Sequence, residues 1–316
     1  MTAKLKLLQN GRLSPYLEQR LAQQYDVHFL EHEPDARAFL LAHGHEFVAL
    51  ATSVQAGADK TLFDALPNLR VVSSFGVGFD KLDLNIARER GIAIGYTPDV
   101  LSDCVADLAF GLLIDVARSL SASDRFVRRG EWLQHNFPLT TRVSGKNIGV
   151  LGLGRIGRAI AKRASGFDMA VRYHNRSPVA DVEYVYEADL VTLPRWSDFL
   201  VIAAPGGAST EHIVSTDVLT ALGPQGFVIN IARGSVIDER ALVEALEQNR
   251  IAGAALDVFE HEPNVPAELL NRDNVVLLPH VGSGTVETRQ AMADRVLDNL
   301  TAFFEHGKVI SSPLTL

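Results

Sequence analysis

The chain has 316 residues, 47% of them hydrophobic, with a formal net charge of −8 and a single cysteine, Cys104. That is enough for one large or two medium domains with a substantial core. The acidic balance argues against nucleic acid or an anionic membrane as partner, since both demand clustered basic surface, and one cysteine excludes an intrachain disulfide framework and fits a reducing cytoplasm.

Met1-Thr2-Ala3-Lys4 leads straight into an apolar run, with no signal-peptide pattern. Strands are predicted at Leu5–Leu8, Val27–Leu30, Val48–Ala51, Val71–Phe75 and Ile92–Tyr96. Helical patterns lie between them at Ser14–Gln24, Asp35–Ala42 and Asp83–Arg90. Such alternation argues for a parallel sheet covered on both faces. Gly95-Tyr96-Thr97-Pro98 reads as a turn and a domain crossing. A buried helix is predicted from about Ser102 to Ser119. Its apolar stretch is broken by Asp107, Asp115 and Arg118, so it does not read as a membrane span.

A second alternating block starts at Asn147. Its predicted strands are Asn147–Leu151, Ala170–Tyr173, Phe199–Ala203, Phe227–Ile231, Ala252–Leu256 and Val275–Leu278. This pattern fits a doubly wound α/β domain. After Gly284 a long amphipathic helix follows, with Ala293, Val296, Leu297, Leu300, Phe303 and Phe304 as its apolar stripe.

The first strand of this block runs into Gly152-Leu153-Gly154-Arg155-Ile156-Gly157. A strand, then G-x-G-x-x-G, then a helix is the context that a dinucleotide fingerprint requires. Gly152 would allow the tight turn, Gly154 the approach of a pyrophosphate, and Gly157 close helix–strand packing. The helix start offers N–H groups and a positive dipole end to phosphate. In NAD-binding proteins an acidic residue roughly 20 residues further on takes the ribose hydroxyls. Here the second strand ends in His174-Asn175-Arg176-Ser177, and Asp181 comes too late. An arginine fork suits a 2′-phosphate, with Asn175 and Ser177 adding hydrogen bonds. The expected cofactor is therefore NADPH, with NADH weaker, and no metal is expected.

Three further strand ends carry Asn230–Gly234, Asp257–Pro263 and Leu278–Ser283. Parallel strands put their carboxyl ends on one rim. Arg233, Glu262 and His280 are thus expected to converge beside the nicotinamide. An arginine clamps a carboxylate and polarises a carbonyl. A histidinium protonates the carbonyl oxygen as hydride arrives, and a carboxylate favours its charged form. Taken singly, each residue also reads as an ordinary surface group; the conjunction carries the expectation.

With these motifs in this order, the chain resembles the D-isomer-specific 2-hydroxyacid dehydrogenase family, most of all its NADPH-dependent glyoxylate/hydroxypyruvate and hydroxyphenylpyruvate reductases. The resemblance implies a Rossmann-like cofactor domain, residues 99–284, inserted in a smaller flavodoxin-like substrate domain, residues 1–98 and 285–316. It implies a homodimer and Arg233, Glu262 and His280 as catalytic residues. It implies that backbone amides at Val77 and Gly78 hold the substrate carboxylate, which suits a glycine-rich turn, and that Ser283 lines the substrate site. Asp257 would meet the nicotinamide carboxamide, with Ala204, Pro205, Ile231, Ala232 and Gly282 lining the cofactor cleft. Val54–Gly57, Trp132 and Phe137 would shape the substrate pocket. Tyr96 departs from the asparagine that many relatives carry. The implied reaction is reduction of glyoxylate or hydroxypyruvate to the D-2-hydroxy acid. The alternatives are an aromatic 2-oxo acid reductase, or a dinucleotide-sensing corepressor-like binding protein with no metabolic role.

Overall fold

Continuous apolar runs suit strands buried on both faces. The computed structural model, which describes residues 4–315, has such strands in two separate sheets. The chain divides into two compact units, residues 1–101 with 285–316, and residues 102–284. The division falls after Leu101, where the sequence puts it after Pro98.

The first unit runs β1 (Lys6–Asn10), α1 (Pro15–Gln24), β2 (Asp26–Phe29), α2 (Ala36–His43), β3 (Ala49–Ser53), α3 (Lys60–Ala65), β4 (Val71–Phe75), α4 (Leu84–Glu89) and β5 (Ala93–Gly95). Its five strands are all parallel, in the order β2-β1-β3-β4-β5. Helix starts follow local chemistry. Ser14, Asp35, Asp59 and Asp83 each accept a hydrogen bond from the backbone N–H three residues on, which satisfies one orphan donor of the first turn. Val72, Ile94, Leu50 and Phe63 are fully buried in its core.

The second unit opens with α5 (Ser102–Arg118) and α6 (Leu120–Arg128). The single predicted helix ends at Arg118, because Ser119 adopts a left-handed φ of 51°. Asp115 then accepts from both the N–H (2.8 Å) and the hydroxyl (2.5 Å) of Ser121 and fixes the start of α6. There follow β6 (Asn147–Leu151), α7 (Arg155–Ala164), β7 (Ala170–His174), β8 (Val185–Tyr186), α8 (Thr192–Trp196), β9 (Phe199–Ile202), α9 (Thr216–Leu222), β10 (Phe227–Asn230), α10 (Glu239–Glu247), β11 (Gly253–Leu256), α11 (Ala267–Leu270) and β12 (Val275–Leu277). The sheet is parallel throughout, in the order β12-β11-β10-β9-β6-β7-β8. Six strands are predicted, and the structure adds a seventh, β8. Two residues are too short for any periodicity to reveal a strand.

The last helix, α12 (Val286–His306), returns to the first unit. Thr285 caps its start and Gly307, at φ 72°, ends it. Its backbone carbonyl at Val296 accepts from Ser73 Oγ (3.1 Å) on β4. Asn299, fully buried, donates to the Tyr96 carbonyl and accepts from Ile310 and Ser311 N–H. Tyr96 is therefore held by its backbone, and its N–H also donates to the Ser311 carbonyl (3.3 Å). Among the described residues no helix is long and apolar enough to cross a membrane.

Candidate active site

The sheet of the second unit carries its chemistry at the carboxyl ends of neighbouring strands. At the end of β10, Asn230 is almost fully buried and makes a small closed loop with its own backbone. It accepts from the Ala232 N–H (3.0 Å) and donates to the Arg233 carbonyl (2.9 Å). Asparagine side chains readily close such turns. Ile231 and Ala232 are buried, and Arg233 points from this turn with Nη1 donating to the Ala232 carbonyl (2.7 Å). A Cβ on Gly234 would lie 1.9 Å from the Phe259 carbonyl carbon. Only glycine lets the β10 turn lie against the backbone that follows β11. A Cβ on Gly206, in the loop after β9, would lie 2.7 Å from Arg233 Cγ, so that loop also leaves room for the arginine. Ala204 is buried and Pro205 exposed in the same loop.

Asp257 follows β11 and is 1% exposed. Its two oxygens accept from the Val281 and Gly282 N–H groups (2.7 Å each), and its carbonyl accepts from the His280 N–H (2.9 Å). Burial pushes the carboxyl above its usual value, while the Val281 N–H, His280 and the Gly282 N–H pull it the other way. Asp257 thus grips the turn after β12, in which His280 has a left-handed φ of 55°. Beyond the expectation of a cofactor contact, it is the residue that fixes the histidine's backbone.

Glu262 lies in the loop after β11, before a cis bond to Pro263. One oxygen accepts from the Phe259 N–H (3.2 Å), and the other from His280 Nδ1 (2.8 Å). Burial pushes its carboxyl up, but the His280 hydrogen bond and charge, the Phe259 N–H and Arg233 outweigh this and hold it below its usual value. The carboxylate and imidazole predicted to meet are therefore in contact, with both carboxylate oxygens committed. Nearby, His212 meets Glu260 (2.8 Å), and this hydrogen bond raises the imidazole above its usual value. Ser283 is half-buried just beyond the histidine turn.

The other end of the sheet carries the glycine motif. Gly152 has φ 99°, and a Cβ there would lie 2.5 Å from the Ala204 N. A Cβ on Gly157 would lie 2.1 Å from the Gly152 carbonyl oxygen. These two glycines serve close packing. A Cβ on Gly154 would meet nothing within 4 Å, and Gly154 starts α7 without a side-chain cap. The middle glycine is thus the one facing open space, at a helix start suited to phosphate. Leu153 is buried, Arg155 exposed and Ile156 half-buried. Asn175 Oδ1 accepts from the Leu153 N–H (2.7 Å), so it ties the glycine loop to the end of β7. Arg176 and Ser177 are exposed on that turn. The residues present fit a phosphate-bearing dinucleotide.

In the first unit, β4 ends in a loop through Gly76, Val77 and Gly78. Gly76 has φ 139°, and a Cβ there would lie 2.3 Å from a methyl of Val54. Thr97 holds it from both sides, accepting from its N–H (3.0 Å) and donating its own N–H to its carbonyl (2.9 Å). Val77 and Gly78 remain partly exposed. Trp132 is 66% exposed, and Phe137 packs edge-on against Phe126 with ring centroids 5.2 Å apart. No cluster of His, Cys, Asp or Glu able to hold a metal ion occurs among the described residues. Sequence reasoning gave no role to Asn230 or Thr97, although an asparagine directly before a turn was a readable signal.

Residues 110–282 match the family model of the D-isomer specific 2-hydroxyacid dehydrogenase NAD binding domain. The chain is 49% identical over 302 residues to a glyoxylate/hydroxypyruvate reductase A of Arabidopsis thaliana, covering 96% of both chains. It is also 49% identical over 302 residues to a hydroxyphenylpyruvate reductase of Plectranthus scutellarioides, again covering 96% of each. Among solved structures, an NADPH-dependent glyoxylate/hydroxypyruvate reductase from Sinorhizobium meliloti, in complex with NADP and malonate, superposes with a TM-score of 0.92 at 42% identity, over 98% of this chain and 97% of that one. With its strand-end chemistry, its glycine loop and these relatives, the chain belongs to the D-isomer-specific 2-hydroxyacid dehydrogenases and is an oxidoreductase.

Proposed function

We propose that the protein reduces a small 2-oxo acid, glyoxylate or hydroxypyruvate, to the D-2-hydroxy acid with NADPH. The observation that carries this reading is the His280–Glu262 contact (2.8 Å), beside Arg233, at the ends of adjacent strands. When bound, the nicotinamide supplies the hydride. His280 spends Nδ1 on Glu262, which leaves Nε2 for the carbonyl oxygen of the substrate. The charged ring delivers its proton there as the oxygen gains negative charge. Glu262 orients the ring, and Asp257 keeps its turn in place. Arg233 pairs with the substrate carboxylate and polarises the carbonyl, a task suited to a planar fork of donors. In the first unit the Val77 and Gly78 amides, on a glycine-rich turn, suit an anion, and in the second Ser283 lies just beyond His280. Gly152–Gly157, Ala204, Pro205, Ile231, Ala232, Asp257 and Gly282 line the cofactor cleft, with Asn175, Arg176 and Ser177 at the 2′-phosphate.

The hydroxyphenylpyruvate reductase is as similar to this chain as the glyoxylate/hydroxypyruvate reductase is. Reduction of an aromatic 2-oxo acid is therefore the second reading. One experiment addresses both, namely kcat/KM for glyoxylate, hydroxypyruvate, pyruvate and 4-hydroxyphenylpyruvate with NADPH and with NADH. The proposal expects the highest values for glyoxylate or hydroxypyruvate with NADPH. A clear preference for the aromatic acid selects the second reading, and no turnover with any of them removes both.

The enzyme acts as a homodimer in the cytoplasm. Leu120, Val127, Trp132, Leu133 and Leu139 are exposed within one short stretch of the second unit, which supports cover by a second copy. A monomer in sedimentation equilibrium at micromolar concentration would rule this out. The single cysteine supports a reducing compartment.

A further inference from the structure

The turn that ends β7 is held in a way that its sequence does not reveal. Tyr173 on β7 and Tyr186 on β8 are register partners in neighbouring parallel strands. Their rings lie 5.5 Å apart, centroid to centroid. Each hydroxyl reaches the backbone of the turn, one at either end. Tyr186 Oη donates to the Asn175 carbonyl (3.1 Å), and Tyr173 Oη accepts from the Val179 N–H (2.8 Å). Asn175 is fixed a second time by its side chain, on the Leu153 N–H of the glycine loop. Arg176 and Ser177 lie between these anchors with exposed side chains. The main chain is therefore pinned on both sides of the two residues expected to read a 2′-phosphate.

We propose that the Tyr173–Tyr186 pair is a specificity-determining brace: it holds the 175–179 turn so that Arg176 and Ser177 are preorganised for a ribose 2′-phosphate. The inference rests on the reading of Arg176 as the 2′-phosphate residue. A braced backbone lowers the ordering cost of binding. That saving applies to a ligand that engages the turn, here one carrying the 2′-phosphate. A ligand without this group gains little from it. Tyrosine suits the position because its rigid ring carries the hydroxyl past the strand end at small entropic cost. β8 spans Val185–Tyr186, and its pairing with β7 sets Tyr186 beside Tyr173.

The test uses the full-length protein and titration calorimetry with two probes, adenosine 2′,5′-bisphosphate and AMP, which differ by the 2′-phosphate. Tyr186→Phe keeps the ring and removes the donor to Asn175. It should weaken the bisphosphate by about 3- to 10-fold, the worth of one hydrogen bond, and leave AMP within about twofold. Arg176→Ala should abolish the preference for the bisphosphate. In the Arg176→Ala background, Tyr186→Phe should cost nothing further, since coupled residues are non-additive. Three results overturn the proposal. If Tyr186→Phe weakens both probes equally, the tyrosine is a structural support only. If it weakens neither, the brace does not act on the ligand. If Arg176→Ala leaves the bisphosphate preference intact, the 2′-phosphate reading itself falls, and the brace falls with it. Tyr173→Phe removes the acceptor at the other end and should repeat the selective loss.

Discussion

The two ends of one sheet solve opposite problems. At β10–β12 the functional side chains are themselves immobilised. Glu262 has both oxygens committed, His280 is tied to it, and Asp257 grips the histidine's turn. At β6–β8 it is the backbone that is immobilised, by Tyr173, Tyr186 and Asn175, while Arg176 and Ser177 stay exposed. The difference follows from the tasks proposed for them. A proton donor must sit at one place relative to the reacting atoms, because a misplacement of an ångström is costly. A cofactor-selecting cation has only to close on a bulky, highly charged group, so fixing its backbone is enough.

That contrast predicts losses in turnover of the 2-oxo acid at one end and a loss selective for one cofactor at the other. The largest effect should come from His280→Ala, which removes the general acid. Reduction should slow by about 10²–10⁴-fold in kcat, with NADPH affinity by fluorescence titration kept. Near-normal kcat would remove His280 from the reaction. Next comes Arg233→Lys, which keeps the charge but loses the planar fork. A loss of a charged hydrogen bond, about 1.5–3 kcal/mol, should appear in kcat/KM for the 2-oxo acid and not in cofactor binding. Unaltered kinetics would leave the carboxylate clamp to other groups. At the other end, Arg176→Ala should weaken NADPH by a comparable 1.5–3 kcal/mol, roughly, while NADH binds as before. An equal loss for both cofactors would mean that the arginine supports the turn and reads nothing.

How far each end was legible in the sequence follows the same division. Both parallel sheets, the long return helix and the three strand-end motifs were readable, because apolar runs and turn chemistry are local signals. The Glu262–His280 contact was expected for a topological reason: neighbouring parallel strands deliver their ends to one rim. The double commitment of Asp257 to the Val281 and Gly282 amides was not legible, because it joins two loops far apart in sequence. β8 escaped for lack of length, and with it the partner of Tyr173. Thr97 escaped likewise, since its tie to Gly76 is a long-range contact that Thr97-Pro98 alone does not suggest.

The smallest expected effect is also the most diagnostic of the catalytic corner. Glu262→Gln keeps the shape of the side chain and removes its charge. Reduction takes its proton from the imidazole, so the orientation that Glu262 gives the ring bears directly on the rate. Without the charged contact to Nδ1 the ring is held less firmly, so kcat for reduction should fall modestly while NADPH affinity is kept. An unchanged kcat would mean that the charge of Glu262 does nothing to position the ring. The carboxylate makes its own pH-dependent contribution to stability. Its carboxyl is held below the usual value, by His280 above all once the opposing effect of burial is overcome. A depressed carboxyl stabilises the fold above its unfolded value, about 4.3 for a glutamate. That stability is lost as pH falls through the folded value. The unmodified protein should therefore lose thermal stability across this acidic window more steeply than the glutamine variant does. The two Tm curves should converge below it, because a protonated Glu262 and a glutamine are both neutral there. Parallel curves through the acidic range would show that the contact with His280 stabilises the folded corner by shape and not by charge.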